Sequence, residues 1–370
     1  MKKKLFVLLL PALMAAGCLG EGDSRLWKSD VVAVVVNEGG AAARNGSINF
    51  YYEAADSLVA NPIKNDAIEA SIQSVQFTNG GALWLVCNQP DKIMVFDIET
   101  GNYSPTAITD SLQNPRHISI YSDSYRLLYY LFVSNKGEAA ADGSFPNSYV
   151  QVYELVGNGK FAPIKRLPCG ADAEGIAIVN GKIYVATGEG VLVFDAYNLD
   201  KVPATLDYNS AWGAAKHFVQ DSLYNLWVSY SGSKVQYINT QRVEAASSKS
   251  IPLDTAGGDI ALGSGGKHII SFVNEKDAAG ADSLTVYRTD AASSVASDVA
   301  SVASSVIFTG KYKARGININ LITGSIYLAA EQDGASVLLL INESGELLHR
   351  KPTAGVGIKE FRFFVTTYPL

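Results

Sequence analysis

The chain has 370 residues, with 30 basic and 36 acidic side chains and a formal net charge of −6. That balance argues against nucleic acid and against a polybasic membrane-binding surface. Apolar residues make up 48%, enough for a sizeable core, yet helical periodicity is nearly absent, which sets aside the helical fold classes.

The amino-terminal end reads as an address. Lys2, Lys3 and Lys4 precede an apolar run from Leu5 to Met14, and Ala15, Ala16, Gly17 and Cys18 follow. A basic start, an apolar stretch too short to span a bilayer and a small-residue end make a secretory signal peptide. The small residues before Cys18 resemble a lipoprotein cleavage box, in which Cys18 carries the lipid. We therefore expect a signal peptide over 1–17, the lipidated Cys18 with a flexible tether over 18–29, and one folded unit over 30–370. Cleavage removes three of the 30 basic side chains, leaving 27 against 36 acidic ones and a net charge of −9. Glu21 and Asp23 behind Cys18 are similar to the export signal of surface lipoproteins. The expected location is the outer membrane, exposed at the cell surface and held through the lipid anchor only, since no second apolar stretch is long enough to span.

A repeat dominates the rest. Seven times an apolar strand runs into a polar loop, and a second apolar strand follows that ends in a polar residue and a turn. The second strands lie at 48–53, 93–97, 150–154, 191–195, 235–239, 284–288 and 338–342. A strand-only period of about 40 to 60 residues predicts a ring of blades. Inner strands are expected to begin near Ile72, His117, Gly175, His217, Asp259, Gly316 and Glu360. The last has no later strands to pair with, and the first repeat, from Val31, lacks an inner strand. The fold expected is therefore all-β, a seven-bladed β-propeller of four-stranded antiparallel blades, closed by the carboxy-terminal strand joining the amino-terminal blade. One stretch departs from the pattern: Val295, Val299, Val302 and Val306 recur at helical spacing, predicting a short amphipathic helix or irregular insert over 290–306. Cys87 and Cys169 fall in different repeats and read as buried free thiols, with a disulfide between them the open alternative.

Topology assigns two faces. With inner strands running downward, the turns after each third strand lie below, carrying Glu53, Asp97, Glu154, Asp195 and Asn239 as turn formers. The loops between strands two and three ring the upper mouth. They offer Asn37, Glu38, Arg44, Asn88, Gln89, Asn135, Tyr230, Asn274 and Glu331. Inner-strand starts add Arg116, Glu174, Lys216, Asp259 and Arg315, and Trp212 and Tyr312 stand in the links before two of them. Amides donate and accept, charges orient a polar ligand, and rings give flat apolar contact. The four histidines have no metal-ligand spacing, and there is no nucleophile elbow, phosphate loop or calcium loop. No catalytic residue, metal or cofactor is therefore assigned. A lactonase-like hydrolase, with a divalent cation on Glu174 and Asp259, stands as an alternative by fold analogy.

The stretch from Val36 to Gly40, Asn45 through Tyr51, and the closing residues 310–312, 324–328 and 342–345 resemble surface lipoproteins of the YncE-like, or YVTN-type, seven-bladed propellers. Among these, the BtuG-type lipoproteins capture cobalamin and pass it to a TonB-dependent transporter. The resemblance implies a non-enzymatic capture role here, with a corrinoid as ligand and such a transporter as partner. A protein or glycan scaffold in an outer-membrane complex is the other role it leaves open.

Overall fold

The computed structural model describes residues 27–40, 42–60, 68–78, 81–98, 101–104, 107–123, 128–157, 159–232, 234–241, 248–252, 259–263, 266–290 and 304–369. They form seven four-stranded antiparallel sheets, each built from sequence neighbours except one. In blade 1 the strand Trp27–Asn37 pairs on one side with Ser47–Tyr52 and on the other with Ile358–Pro369, from Trp27 opposite Pro369 to Asn37 opposite Ile358. The expected closure is thus the observed one. The pairing starts at Trp27, so the backbone at 27–29, expected as tether, already belongs to the sheet.

Stacked blades explain the sequence pattern. A middle strand has a neighbouring blade on both faces, so both faces exclude water. Ala82–Asn88 is buried at every interior position, and Ala335–Ile341 at all but its first residue. Such strands read as continuous apolar runs rather than alternating ones. Outer strands meet solvent and alternate, as Phe161–Gly170 does. The core falls into seven clusters, one at each junction between adjacent blades. Trp84 and Trp227 lie in two of them. Cys87 and Cys169 are free and buried, and burial pushes both thiols up to about 12. Neither is a thiolate nucleophile at neutral pH.

The junction between blades 7 and 1 is tied by polar contacts as well. Glu53 accepts hydrogen bonds from Asn320 Nδ2 (2.7 Å), Ser325 Oγ (2.6 Å) and Tyr327 Oη (2.7 Å). Asp56 accepts from Tyr51 Oη (2.9 Å) and Lys351 Nζ (2.7 Å), with His349 Nδ1 3.1 Å away. Glu53 is therefore a clamp between blades, whereas Asp195 and Asn239 accept from the backbone two residues on, as turn formers do. In blade 6 the expected insert falls between the outer strands Asp282–Asp290 and Ser304–Gly310. Val306 belongs to the second of these, which corrects the helical reading there; 291–303 lie outside the described residues.

Candidate ligand mouth

Six of the seven inner strands share a defect at their upper ends. In Ser71–Phe77, Pro115–Asp123, Ala215–Gln220, Lys313–Ile319 and Ile358–Pro369 the pairing register shifts near the top. The residues left out of the ladder are Gln73, Arg116 with His117, Lys216 with His217, Arg315, and Lys359. Blade 4 does the same just ahead of Ile176–Val179: Glu174 N donates to Ala186 O while Ala186 N donates to Gly175 O, both at 2.9 Å. A bulge re-aims the extra side chain and sharpens the local twist. Here it delivers long polar groups from six blades to one opening.

Their carbonyls turn toward the preceding blade. Arg116 O accepts from Ser74 Oγ (2.8 Å), Glu174 O from Ser134 Oγ (2.5 Å), and Lys216 O from Gly175 N (3.0 Å). Gly175 and Gly316 are required by this approach. A Cβ on them would lie 2.4 Å from Lys216 O and 2.0 Å from Lys359 O.

Glu174, only 6% exposed, is the electrostatic hub. Arg116 Nε lies 3.0 Å from its Oε2, Lys136 Nζ 2.7 Å from its Oε1, and Lys216 Nζ 3.8 Å away. Burial alone would raise its carboxyl. Arg116 and Lys136 outweigh that and hold it well below the usual range. Gln73 extends the network: its amide donates to Glu38 Oε1 (3.0 Å) and Asn88 Oδ1 (3.1 Å), and its oxygen accepts from Arg116 and from Lys359 Nζ (3.3 Å). Burial, then Arg116, lowers the Lys359 ammonium. Across the mouth Arg315 makes a two-pronged pair with Glu331 at 3.0 and 3.1 Å.

Below the mouth runs an axial channel of about 250 Å3, lined among others by His117, His217, Asp259, Asn318, Glu360 and Arg362. The two imidazoles meet edge to face at 5.8 Å. Burial, then His217, holds His117 neutral. Burial raises the Glu360 carboxyl against the pull of Arg362, and Val75 N donates to it at 3.2 Å. Among the described residues no group of three or more His, Cys, Asp and Glu could hold a metal. Glu174, imagined as a cation ligand, has cations on both oxygens already.

The structure brings Glu38, Asn88, Arg116, Glu174, Lys216, Asp259, Arg315 and Glu331 around this opening, with Gln89 and Arg44 exposed on its rim. Other expected groups are taken up by the scaffold. Asn37 is buried and accepts from Thr353 Oγ1 (3.1 Å). Asn135, also buried, accepts from Gln113 N and donates to Val133 O. Asn274 bridges both backbone groups of Ala314, at 2.8 and 2.7 Å. Tyr230 is buried, with its hydroxyl on Gln236 Oε1 (2.6 Å). Trp212, in the short turn Ser210–Trp212, packs on Tyr230 at 5.4 Å, and Tyr312 stacks on Phe308. An amide next to a strand end satisfies loop backbone first, because a buried unpaired group there is costly. Gln73, Lys136 and Glu360 were not singled out from sequence. Aligning the inner strands at their charged positions would have exposed Gln73 and Glu360.

No protein-family model and no curated protein matches this sequence. Solved structures do match in fold. The periplasmic gluconolactonase PpgL of Pseudomonas aeruginosa superposes with a TM-score of 0.62 at 12% identity, over 90% of this chain and 99% of that one. Apo AztD of Citrobacter koseri gives 0.55 at 10% identity, over 92% and 98%. A functionally unknown protein of Desulfotomaculum acetoxidans gives 0.60 at 14% identity, over 90% and 98%. The chain is a seven-bladed β-propeller, and these likenesses establish that fold alone.

Proposed function

We propose that the protein is a non-enzymatic capture protein, lipid-anchored through Cys18 at the outer-membrane surface, that seats a bulky polar small molecule across its upper mouth. The observation that carries the reading is the set of bulged inner strands. Six blades give up regular pairing at the same level, and each gives it up at a polar side chain. A purely structural ring would be served by apolar residues there, as it is one step below by Val75, Ile118, Ile176, Phe218, Ile260 and Ile317.

A corrinoid is the first candidate. Its support is the YncE-like and BtuG-type resemblance, together with chemistry: amide arms want donors and acceptors side by side, as Gln73 and Asn88 stand beside Arg116. The macrocycle is too wide for a channel of about 250 Å3 and would lie over the mouth with one arm in the channel. A TonB-dependent transporter would then be the recipient. Calorimetric titration of the protein with cobalamin and cobinamide tests this. The expected result is saturable, metal-independent heat. Replacing Lys216 and Arg315 together by alanine should weaken binding about tenfold or more, the usual size for lost hydrogen bonds to charged groups. Absence of heat and of any shift in melting temperature would remove the corrinoid.

A further inference from the structure

The two faces differ in what they show to solvent. On the lower face the turns carry exposed large apolar side chains: Leu321 (67%) and Ile322 (70%) on blade 7, Leu223 (70%) and Tyr224 (62%) on blade 5, and Val202 (83%) on blade 4. Leu348, at the foot of blade 7, lines a shallow groove with Leu321 and Ile322. Among the described residues the upper loops expose one comparable group, Val356. Scattered apolar residues need no explanation, but a set gathered on the turns of one face does.

The chain itself says what lies opposite that face. Trp27–Asn37 runs from the lower face to the mouth, so residues ahead of Trp27 join the propeller from below. Nine peptide steps separate Trp27 from Cys18, a reach of at most about 30 Å. Blade 7, with the densest apolar tips, is the neighbour of blade 1, into which this segment runs. Short apolar tips with a tyrosine among them suit the headgroup boundary of a bilayer.

We infer that, with no transporter engaged, the lower face rests on the lipid surface, its apolar tips dipping into the interface, so that the mouth is open to the medium. The inference rests on the reading of Cys18 as the lipidated residue. The full chain, recovered from cells with its amino terminus intact and reconstituted into phosphatidylethanolamine–phosphatidylglycerol vesicles, provides the test. Leu321→Cys, Leu223→Cys and Val356→Cys each take a fluorescent label, Cys87 and Cys169 being buried. Doxyl-labelled lipid should quench the probes at 321 and 223 several-fold more than the one at 356. Equal quenching at all three positions overturns the inference, as does a probe at 321 shielded from aqueous iodide yet untouched by the lipid quencher, which would mean a protein partner. Mass analysis of residue 18 separates the two claims. An acylated Cys18 with unquenched lower probes sinks the membrane contact alone, whereas an unacylated Cys18 with no vesicle binding sinks both. Ligand titration is independent of either outcome.

Discussion

Glu174 shows how one side chain can hold a mouth together. With a cation on each oxygen, its replacement by glutamine would leave Arg116 without a counter-charge and Lys136 with Asp172 alone, 3.4 Å away. Glu174→Gln should destabilise the fold by about 3–5 kcal/mol in denaturant unfolding, as breaking a buried pair does. Because the folded carboxyl titrates below its ordinary 4.5, its stabilisation is full above that value and drains as pH falls toward the folded titration point. Wild type and variant should therefore converge in acid, and curves that stay parallel down to pH 2 would contradict the pairing. His117 works with the same sign for a different reason. It is kept neutral when folded but takes a proton near 6.5 when unfolded, so stability drops as pH falls below 6.5. His117→Asn should flatten that slope in urea titrations between pH 7 and 5. At this scale the sequence was half legible. Arg116, Glu174 and Lys216 stand out as charges at strand starts, but nothing local tells that Asn135 and Asn274 turn back onto backbone while Asn88 faces Gln73.

An inner strand has two tasks at its upper end: to end the ladder and to present a side chain inward. The bulge does both, and the glycines of the adjacent strand make room for the carbonyl it displaces. Gly175→Ala would push a methyl to within 2.4 Å of Lys216 O. Overpacking of this kind is expected to cost about 1–3 kcal/mol. It should also shift the neighbouring Lys216, so a thermal melt and a ligand titration on the same variant should both move. A variant that melts normally would mean the strand slides without strain. Strands were the most readable elements, since a blade buried on both faces leaves a long apolar run in its middle strands. Bulges were not, because an extra residue in a ladder is visible only once its partner strand is known. The helical spacing fails at Val306 for a related reason: an outer strand, exposed on one side, can carry a valine at the same interval as a helix.

At the scale of the ring, blade 1 is the only blade assembled from both ends of the described chain, and the Glu53 and Asp56 contacts fasten it to blade 7. Removing 358–370 would strip Trp27–Asn37 of one partner along its full length. The shortened protein should expose a sheet edge and elute as aggregates in size-exclusion chromatography; a monodisperse monomer would show that the edge is covered in some other way. The same pairing governs time as well as stability. Trp27 and Pro369 meet across nearly the whole sequence, so the contact that seals the ring is the most non-local one available and the most expensive in chain entropy. Every other blade can form as its own hairpins are made. A circular permutant opened between Pro352 and Ile358, with Pro369 joined to Trp27 by a two-residue turn, converts that contact into a local hairpin. It should refold faster in stopped-flow experiments while unfolding at much the same denaturant concentration. In the natural order, the first strand of the ring has to wait, open along one edge, for the last.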